Sequence, residues 1–253
     1  MAKKDIVDIL KVSVILAICF IISVYLLPDR ALANINPYTY IPTKAYTYCP
    51  LVKTQQEQYF KLAPIPYYFG GLIEQESCIS LTNSKCWNPY VELNTSREYG
   101  VGLGEISKAY DKNGKVRFDS LADMVKLHNK ELHELSWSNV KQRPDLQIRT
   151  MILMSEDNYK ALYNIKDPIA RMEFTDSAYN TGLGGVYRSR RLCGLTKGCD
   201  AQTWFNNGVS STCDIGHKVL YGNRTACDIN LDHVSNIFKI RMNKYKVFFI
   251  NKE

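Results

Sequence analysis

Cysteines placed in close pairs are the feature that most restricts how this chain can fold. Six of its eight cysteines form three pairs across short loops rich in polar or turn residues. The pairs are Cys78 with Cys86, Cys193 with Cys199, and Cys213 with Cys227. A disulfide across each loop is the natural interpretation, although the sequence alone cannot fix the connectivity. Cys49 is left unpaired, and an oxidising compartment is expected.

A zinc site is the alternative explanation for the cysteines. No CxxC motif occurs, and the four histidines form neither an HExxH motif nor a similar ligand spacing. The histidines are His128, His133, His217 and His233. We therefore expect no metal and no cofactor.

The amino terminus predicts export. Three lysines within the first 11 residues precede the uncharged run Val12–Leu27, which also contains Cys19. This run is slightly long for the core of a signal peptide and slightly short for a membrane span. Residues 1–33 are therefore either a signal peptide, cleaved after Ala31-Leu32-Ala33, or an uncleaved anchor in the inner membrane. Cleavage is slightly preferred, and the remainder is expected in the periplasm or outside the cell.

Composition is that of a globular protein. Hydrophobic residues make up 45% of the chain and charged residues 23%, which excludes an intrinsically disordered protein. The net charge of +7 suits a polyanionic partner, but it does not choose between nucleic acid, anionic lipid and a bacterial envelope polymer.

The chain divides into a lead-in segment and one domain. Residues 34–62 are rich in proline, tyrosine and threonine and are expected to form a linker followed by a short entry element, whereas residues 63–253 should form one mostly helical domain. The carboxy-terminal segment places four apolar residues on one face and its basic residues off it. The apolar residues are Val234, Ile237, Phe238 and Tyr245; the basic residues are Lys239, Arg241, Lys244 and Lys246. A final core helix is favoured over a helix on a membrane surface.

Apolar periodicity and capping residues predict the main elements of this domain. Helices are expected near 121–135 and 146–163. Asp167-Pro168 is typical of a helix start, and this helix should run to about Asn180 and stop at Gly182. A small β or irregular region is expected around 93–106.

One glutamate occupies a position where an apolar residue is expected. In FGGLIEQES, Phe69, Leu72 and Ile73 share one helix face, and the next position on that face is Glu76. Glu74 should point to solvent. Burial raises the pKa of a carboxyl group, as a general acid requires. A core glutamate paired with an arginine such as Arg149, or an exposed helix end, are the alternatives.

Two glycine-containing segments follow this helix. In TSREYGVGLGEIS, residues 95–107, three glycines alternate with apolar residues, which allows a backbone to approach a ligand closely or simply forms a turn. In SAYNTGLGGV, residues 177–186, Tyr179 and Asn180 precede two glycine turns. The tyrosine hydroxyl could reach a polar partner in a cleft, or the ring could pack at the end of a helix.

Together these segments resemble the soluble lytic transglycosylase domain of the lysozyme-like superfamily. The matching residues are Glu76-Ser77, then GLGEI at 102–106, then AYNTG at 178–182. QESCISLTNSKCWNP, ELNTSREYGVGLGEI and AYNTGLGGVYRSRRLC are more specifically similar to phage-borne peptidoglycan-degrading lysis proteins (endolysins). The similarity covers about residues 65–240, and its three ordered motifs are together a strong signal.

The resemblance implies a lysozyme-like α+β fold, predominantly α-helical, that cleaves the β-1,4 bond between N-acetylmuramic acid and N-acetylglucosamine. It implies peptidoglycan glycan strands as the partner, no nucleic acid, and a monomer. Glu76 would be the general acid and base, and Tyr179 would orient it. The remaining implied substrate-binding residues are Ser77, Gly102, Leu103, Gly104, Glu105 and Asn180.

Glu105 departs from the family pattern, which usually has glutamine at this position. In a transglycosylase, Glu76 alone would form a 1,6-anhydro product without water. In a true muramidase, Glu105, or Glu92 or Glu98, would serve as base or nucleophile. The transglycosylase is preferred. A wall-binding or assembly protein on an inactive scaffold is the non-enzymatic alternative.

Overall fold

The computed structural model of the chain describes residues 35–216 and 219–250. The expectations for residues 1–33, including Cys19, and for His217 fall outside this range. Within the described part, no helix combines the length and the apolar composition needed to cross a membrane.

Helices dominate the fold, which also contains a four-stranded sheet and a short two-stranded one. The long helices are α1 (Thr43–Tyr59), α2 (Tyr68–Ser77), α5 (Pro144–Ala161), α6 (Pro168–Leu195) and α7 (Ala226–Ser235). The short helices are α3 (Ser120–Leu127), α4 (Asn129–Leu132) and α8 (Lys246–Phe249). Helices α3, α4 and α5 lie close to the ranges that periodicity predicts.

Four antiparallel strands form a meander between α2 and α3. They are β1 (Glu92–Asn94), β2 (Glu98–Val101), β3 (Ile106–Tyr110) and β4 (Val116–Asp119), in that order across the sheet. The expected β region around 93–106 is therefore present, but it extends further along the chain. A short hairpin of β5 (Val219–Tyr221) and β6 (Arg224–Thr225) precedes α7. The protein is thus a mostly helical α+β structure.

Helix α2 lies at the centre of the main core. Phe69, Leu72 and Ile73 are fully buried, as expected, but Glu74 is only 1% exposed. The expectation that Glu74 points to solvent is therefore wrong. The helix is covered on the opposite side by residues 236–245, so it has no solvent face at Glu74. Lys244 and Arg241 pair with this buried carboxylate, as a buried charge requires.

The segment expected to be a linker contributes to the core. Helix α1 buries Ala45, Cys49 and Val52 in the same hydrophobic cluster as Phe69. The compact unit accordingly begins at Pro37. Because polar and aromatic residues are mixed around α1, its sequence shows little helical periodicity, and the proline, Pro50, lies inside the helix.

The capping signals of α6 are confirmed. The Asp167 side chain accepts a hydrogen bond from the backbone N–H of Ala170, and Pro168 is the first helical residue. At Gly182 the backbone leaves the helical conformation (φ 75°, ψ 155°). The chain then resumes a helix to Leu195, beyond the expected stop, so α6 consists of two segments joined at this break.

The carboxy-terminal segment is part of the core, as favoured. A π-helical turn (Asn236–Arg241) and a 3₁₀ turn (Met242–Tyr245) continue α7. The four residues of its apolar face are all buried. Lys244, expected among the solvated basic residues, is also buried, because it lies against Glu74.

Three disulfides hold the loops around this core. They join Cys78 to Cys86, Cys193 to Cys199, and Cys213 to Cys227, which are the three local pairs seen in the sequence. Cys49 is a buried free thiol in α1. Three disulfides indicate an oxidising location.

Candidate active site

Glu76 lies where two surface cavities meet. One cavity, of about 240 Å³, is also lined by Lys85, Glu92 and Gly102, and the other, of about 300 Å³, by Phe118 and Tyr179 among others. Glu76 and Glu105 line both cavities, which we together call the groove. The Glu76 side chain is 11% exposed, so it is mostly buried but reaches the groove.

A buried histidine holds Glu76 from behind. His233, on α7, contacts the Glu76 carboxylate through Nε2, and its Nδ1 lies 2.9 Å from Asp176 Oδ2. Asp176, on α6, is fully buried, and its other oxygen accepts a hydrogen bond of 2.7 Å from the Tyr68 hydroxyl. A continuous chain of hydrogen bonds therefore runs from the core, through Asp176 and His233, to the carboxylate in the groove.

The two carboxylates determine the charge of His233. Burial alone would lower the pKa of His233, but the charges of Asp176 and Glu76 and the hydrogen bonds to both raise it to about 10. At neutral pH the site therefore contains an imidazolium between two carboxylates.

Glu105 is the second carboxyl group of the groove. It is the last residue of the turn between β2 and β3, with its backbone in the left-handed region (φ 44°), and its side chain is partly buried. Burial raises the pKa of Glu105 to about 8, and the negative charges of Glu76 and Glu98 add to this rise, whereas His233 opposes it. Glu105 is therefore mainly protonated at neutral pH.

Tyr179 connects α6 to the turn that carries Glu105. Its hydroxyl donates a 2.6 Å hydrogen bond to the carbonyl oxygen of Gly104. A Cβ atom at residue 104 would lie 2.7 Å from that hydroxyl, so a glycine is required for this contact. Asn180 accepts a hydrogen bond from the Asn230 side chain. Both Tyr179 and Asn180 line the groove, and Tyr179 contacts the glycine turn rather than Glu76 itself.

Two of the predicted substrate-binding residues have their polar groups engaged inside the protein. The Ser77 hydroxyl donates to Ile73 O and accepts from the backbone N–H of Trp87. Leu103 is fully buried, and its N–H donates to Gln147 Oε1. Ser77 and Gly102 line the groove, whereas Leu103 does not.

The other carboxylates considered in the sequence occupy different positions. Glu98 lines the groove next to Glu105. Glu92 also lines it, but hydrogen bonds from Lys141 and Tyr99 lower the pKa of Glu92. Arg149, the suggested partner of a core glutamate, instead donates to Gln55 and to the Glu131 carbonyl.

Sequence reasoning missed Asp176 and His233. Asp176 lies three residues before Tyr179, in a stretch of α6 that is buried together with it. Its place close to the AYNTG motif was a usable signal for a buried carboxylate. His233 is 157 residues from Glu76 and was considered only as a metal ligand, so no local pattern could have indicated this contact.

The arrangement can protonate, deprotonate or electrostatically stabilise a group placed in the groove. Within residues 35–216 and 219–250, no cluster of three or more histidine, cysteine, aspartate or glutamate side chains could hold a metal ion. Function is therefore inferred from these side chains and from the sequence motifs. No protein-family model matches the chain, and a search of curated proteins found no match.

Proposed function

We propose that this protein cleaves the β-1,4 bond between N-acetylmuramic acid and N-acetylglucosamine in peptidoglycan, with Glu76 as the general acid and base. The observation that carries this proposal is the position of Glu76. It ends a buried helix at the junction of two cavities, and an ionisable network contacts it from inside the protein. The ordered motifs around Glu76, 102–106 and Tyr179 support the same lysozyme-like assignment.

A polymeric substrate fits the shape of the site. The two cavities share Glu76, Leu93 and Glu105 and then differ: residues after α2, such as Ile79 and Lys85, line only the first, whereas residues of β4, α6 and α7 line only the second. A glycan strand could therefore be held on both sides of the bond that breaks.

The proposed reaction is that of a lytic transglycosylase. Glu76 donates a proton to the glycosidic oxygen as the bond to C1 of muramic acid breaks. It then removes the proton from the C6 hydroxyl of the same sugar, whose oxygen attacks C1. The product is a 1,6-anhydromuramic end, and no water is consumed. Neutral Glu105 can act as a hydrogen-bond donor to the strand.

A true muramidase is the second candidate, because Glu105 lines both cavities together with Glu76. In that reaction the second carboxyl activates water or attacks C1, and the separation of the two carboxyl groups sets the stereochemistry. Mass spectrometry of the released muropeptides distinguishes the two reactions, since the anhydro product lacks one water.

Replacing Glu76 with glutamine tests the proposal, because the amide keeps the shape of the side chain but transfers no proton. Digestion of purified sacculi should fall about 10²–10⁴-fold, the usual contribution of a general acid or base. Glu57→Gln, on the exposed side of α1, is the matched control and should digest normally. Equal digestion by the Glu76 variant and the parent would refute the proposal. Binding without digestion by the parent would indicate a wall-binding scaffold.

The proposed setting is the bacterial envelope, where an exported enzyme of this kind would act as an endolysin in host lysis. The disulfides agree with export. Amino-terminal sequencing of the exported protein separates a cleaved signal, with a start at Asn34, from an anchor that keeps residues 12–27 in the inner membrane.

A further inference from the structure

His233 is a buried ionisable group to which the proposed reaction has so far given no task. Its side chain is 4% exposed and it is held on both sides, by Glu76 through Nε2 and by Asp176 through Nδ1. A histidine that only filled the core would need one hydrogen-bond partner for each nitrogen. A pair of carboxylates at the two nitrogens is a more specific arrangement.

The hydrogen-bond pattern defines the protonation state of the ring. An ionised carboxylate can only accept hydrogen bonds, so a ring between two of them must donate from both nitrogens, and it is then an imidazolium. Asp176 also accepts a hydrogen bond from the Tyr68 hydroxyl at Oδ1, the oxygen that does not face the ring. Glu76 is the more exposed of the two carboxylates, and it alone faces the groove.

The groups that surround His233 come from four elements. Helix α2 contributes Glu76, which contacts the ring, α6 contributes Asp176, which Tyr68 also contacts, and the turn after β2 contributes Glu105. On α7 itself, the adjacent Asp232 is exposed and paired with Arg224. The carboxyl groups of Glu76 and Asp176 face the ring, and negative charge at both nitrogens favours its charged form.

We propose that His233 and Asp176 are positioning residues of the glycosidase site: His233 stores the proton that Glu76 delivers, and Asp176 keeps His233 able to store it. This inference rests on the proposed function. It assigns a proton store to the site in addition to the carboxyl group that touches the sugar.

The proton that leaves His233 in the proposed reaction is replaced by one that the same sugar supplies. When a glycan strand covers the groove and excludes water, the charged form of Glu76 is disfavoured, and the Nε2 proton moves to Glu76, leaving a neutral imidazole. The carboxyl group turns this hydrogen toward the groove and donates it to the glycosidic oxygen as the bond to C1 breaks. Glu76 then takes the C6 hydroxyl proton as the C6 oxygen bonds to C1. That proton returns to Nε2, which restores the imidazolium.

The pH dependence of such a pair differs from that of an isolated glutamic acid. A lone acid loses activity about tenfold per pH unit above its own pKa. With His233 present, the pair keeps its proton until the imidazolium itself ionises, and the pKa of His233 is raised to about 10. The stored proton should therefore keep the enzyme active on the alkaline side of neutrality.

The test compares the kcat–pH profiles of His233→Gln and Asp176→Asn with that of their parent, using the full chain and purified sacculi. All variants are made in a Glu105→Gln parent, so that ionisation of Glu105 adds no step of its own. Glutamine at 233 can donate a hydrogen bond to Glu76 but cannot exchange a proton with it. The matched control is His128→Gln, which removes the other histidine–aspartate pair, His128 with Asp157, outside the groove.

We expect the alkaline limb of the kcat–pH profile of both variants to shift to lower pH by at least about one unit. Activity at pH 8 should then fall about tenfold more than activity at pH 5.5. The control should keep the profile of the parent. A uniform loss at every pH, with the limb unmoved, would show that His233 and Asp176 only support the fold, and the proposal would be overturned.

A second measurement needs neither activity nor a variant. In ¹⁵N NMR spectra of the wild-type protein, the His233 ring should remain an imidazolium above about pH 8, far beyond an ordinary histidine. Deprotonation near the ordinary pKa would overturn the proposal even if every variant misfolded. Failure of the function itself is separate: it appears as sacculus digestion by Glu76→Gln, whatever the state of His233.

Discussion

Single residues in the groove make the stability of the protein depend on pH, and Glu105 is the clearest case. Its pKa is raised to about 8 from the ordinary value of 4.5. Between these pH values the folded protein binds more protons than the unfolded chain. The free energy of unfolding that depends on neutral Glu105 is therefore fully present below about pH 4.5, and it is lost as the pH rises through about 8.

Glu105→Gln should remove this dependence. We expect the variant to gain stability over the wild type with increasing pH, by an amount of the order of 2 kcal/mol at pH 8, and to gain little at pH 4.5. Urea unfolding at a series of pH values measures the difference. For the exposed Glu57→Gln variant, the plot of unfolding free energy against pH should run parallel to that of the wild type. A parallel plot for Glu105→Gln would contradict the raised pKa of Glu105.

Lys244 neutralises Glu74, the glutamate of α2 that does not face the groove. Its Nζ lies 2.7 Å from Glu74 Oε2, and both side chains are 1% exposed. Lys244→Met leaves the buried carboxylate with only Arg241 and Tyr245, and should cost about 3 kcal/mol of unfolding free energy. Lys246→Met, on the exposed side of the same segment, should cost less than about 0.5 kcal/mol.

A double variant separates charge from packing at this pair. Adding Glu74→Gln to Lys244→Met removes the uncompensated charge, so the double variant should be more stable than Lys244→Met alone. If the losses of unfolding free energy of the two single variants simply add in the double variant, Glu74 and Lys244 are not coupled in this way.

At the scale of elements, the turn between β2 and β3 is held in place by a side chain of α5. Gln147 is fully buried, accepts from Leu103 N–H and donates to the carbonyl groups of Pro89 and Val140. Gly102 has a φ of +85°, and a Cβ atom there would lie 2.2 Å from Gln147 Oε1. The turn that carries Glu105 therefore depends on both residues.

Gly102→Ala should displace this turn. We expect a loss of about 2–4 kcal/mol, from backbone strain together with the broken hydrogen bonds of Gln147, and a matching loss of sacculus digestion. Gly114→Ala is the matched control, because Gly114 has a similar φ of +78° but nothing within 4 Å. It should lose only about 1 kcal/mol in thermal or urea unfolding and remain active. Equal losses would assign the whole effect to backbone strain.

Elements with local signals could be predicted from the sequence, and those defined by distant contacts could not. The start of α6 at Asp167-Pro168 and its break at Gly182 follow from the properties of single residues. The buried face of α2 was only half predicted, because Glu74 is neutralised by Lys244, 170 residues away. The same limit applies to the site: a helix position indicated Glu76, but only the folded chain brings His233 to it.

At the scale of the whole molecule, the disulfides connect the site to the rest of the structure to different degrees. Cys213–Cys227 closes a separation of 14 residues and is attached to the first turn of α7, the helix that carries His233. Cys193–Cys199 closes a separation of 6 residues at the end of α6, beyond the groove.

Removing these disulfides should therefore have unequal effects. Cys213→Ser with Cys227→Ser should cost about 3 kcal/mol and should also lower kcat in the molecules that remain folded. Cys193→Ser with Cys199→Ser should cost less, because its loop is shorter, and should leave kcat unchanged. Urea unfolding and sacculus digestion of the two double variants check both statements. Unchanged kcat in the first would show that α7 holds its position without the bond.

If the proposed function holds, the junction of the two cavities at Glu76 and Glu105 also bears on where along a polymer a cut falls. A site closed on one side accepts only the tip of a chain and releases small pieces one at a time. Here two cavities adjoin the carboxyl pair, so under the proposed function a long strand can occupy both without presenting a tip. For a wall under turgor, a few interior breaks of this kind weaken the mesh far more than the same number of units trimmed from strand ends.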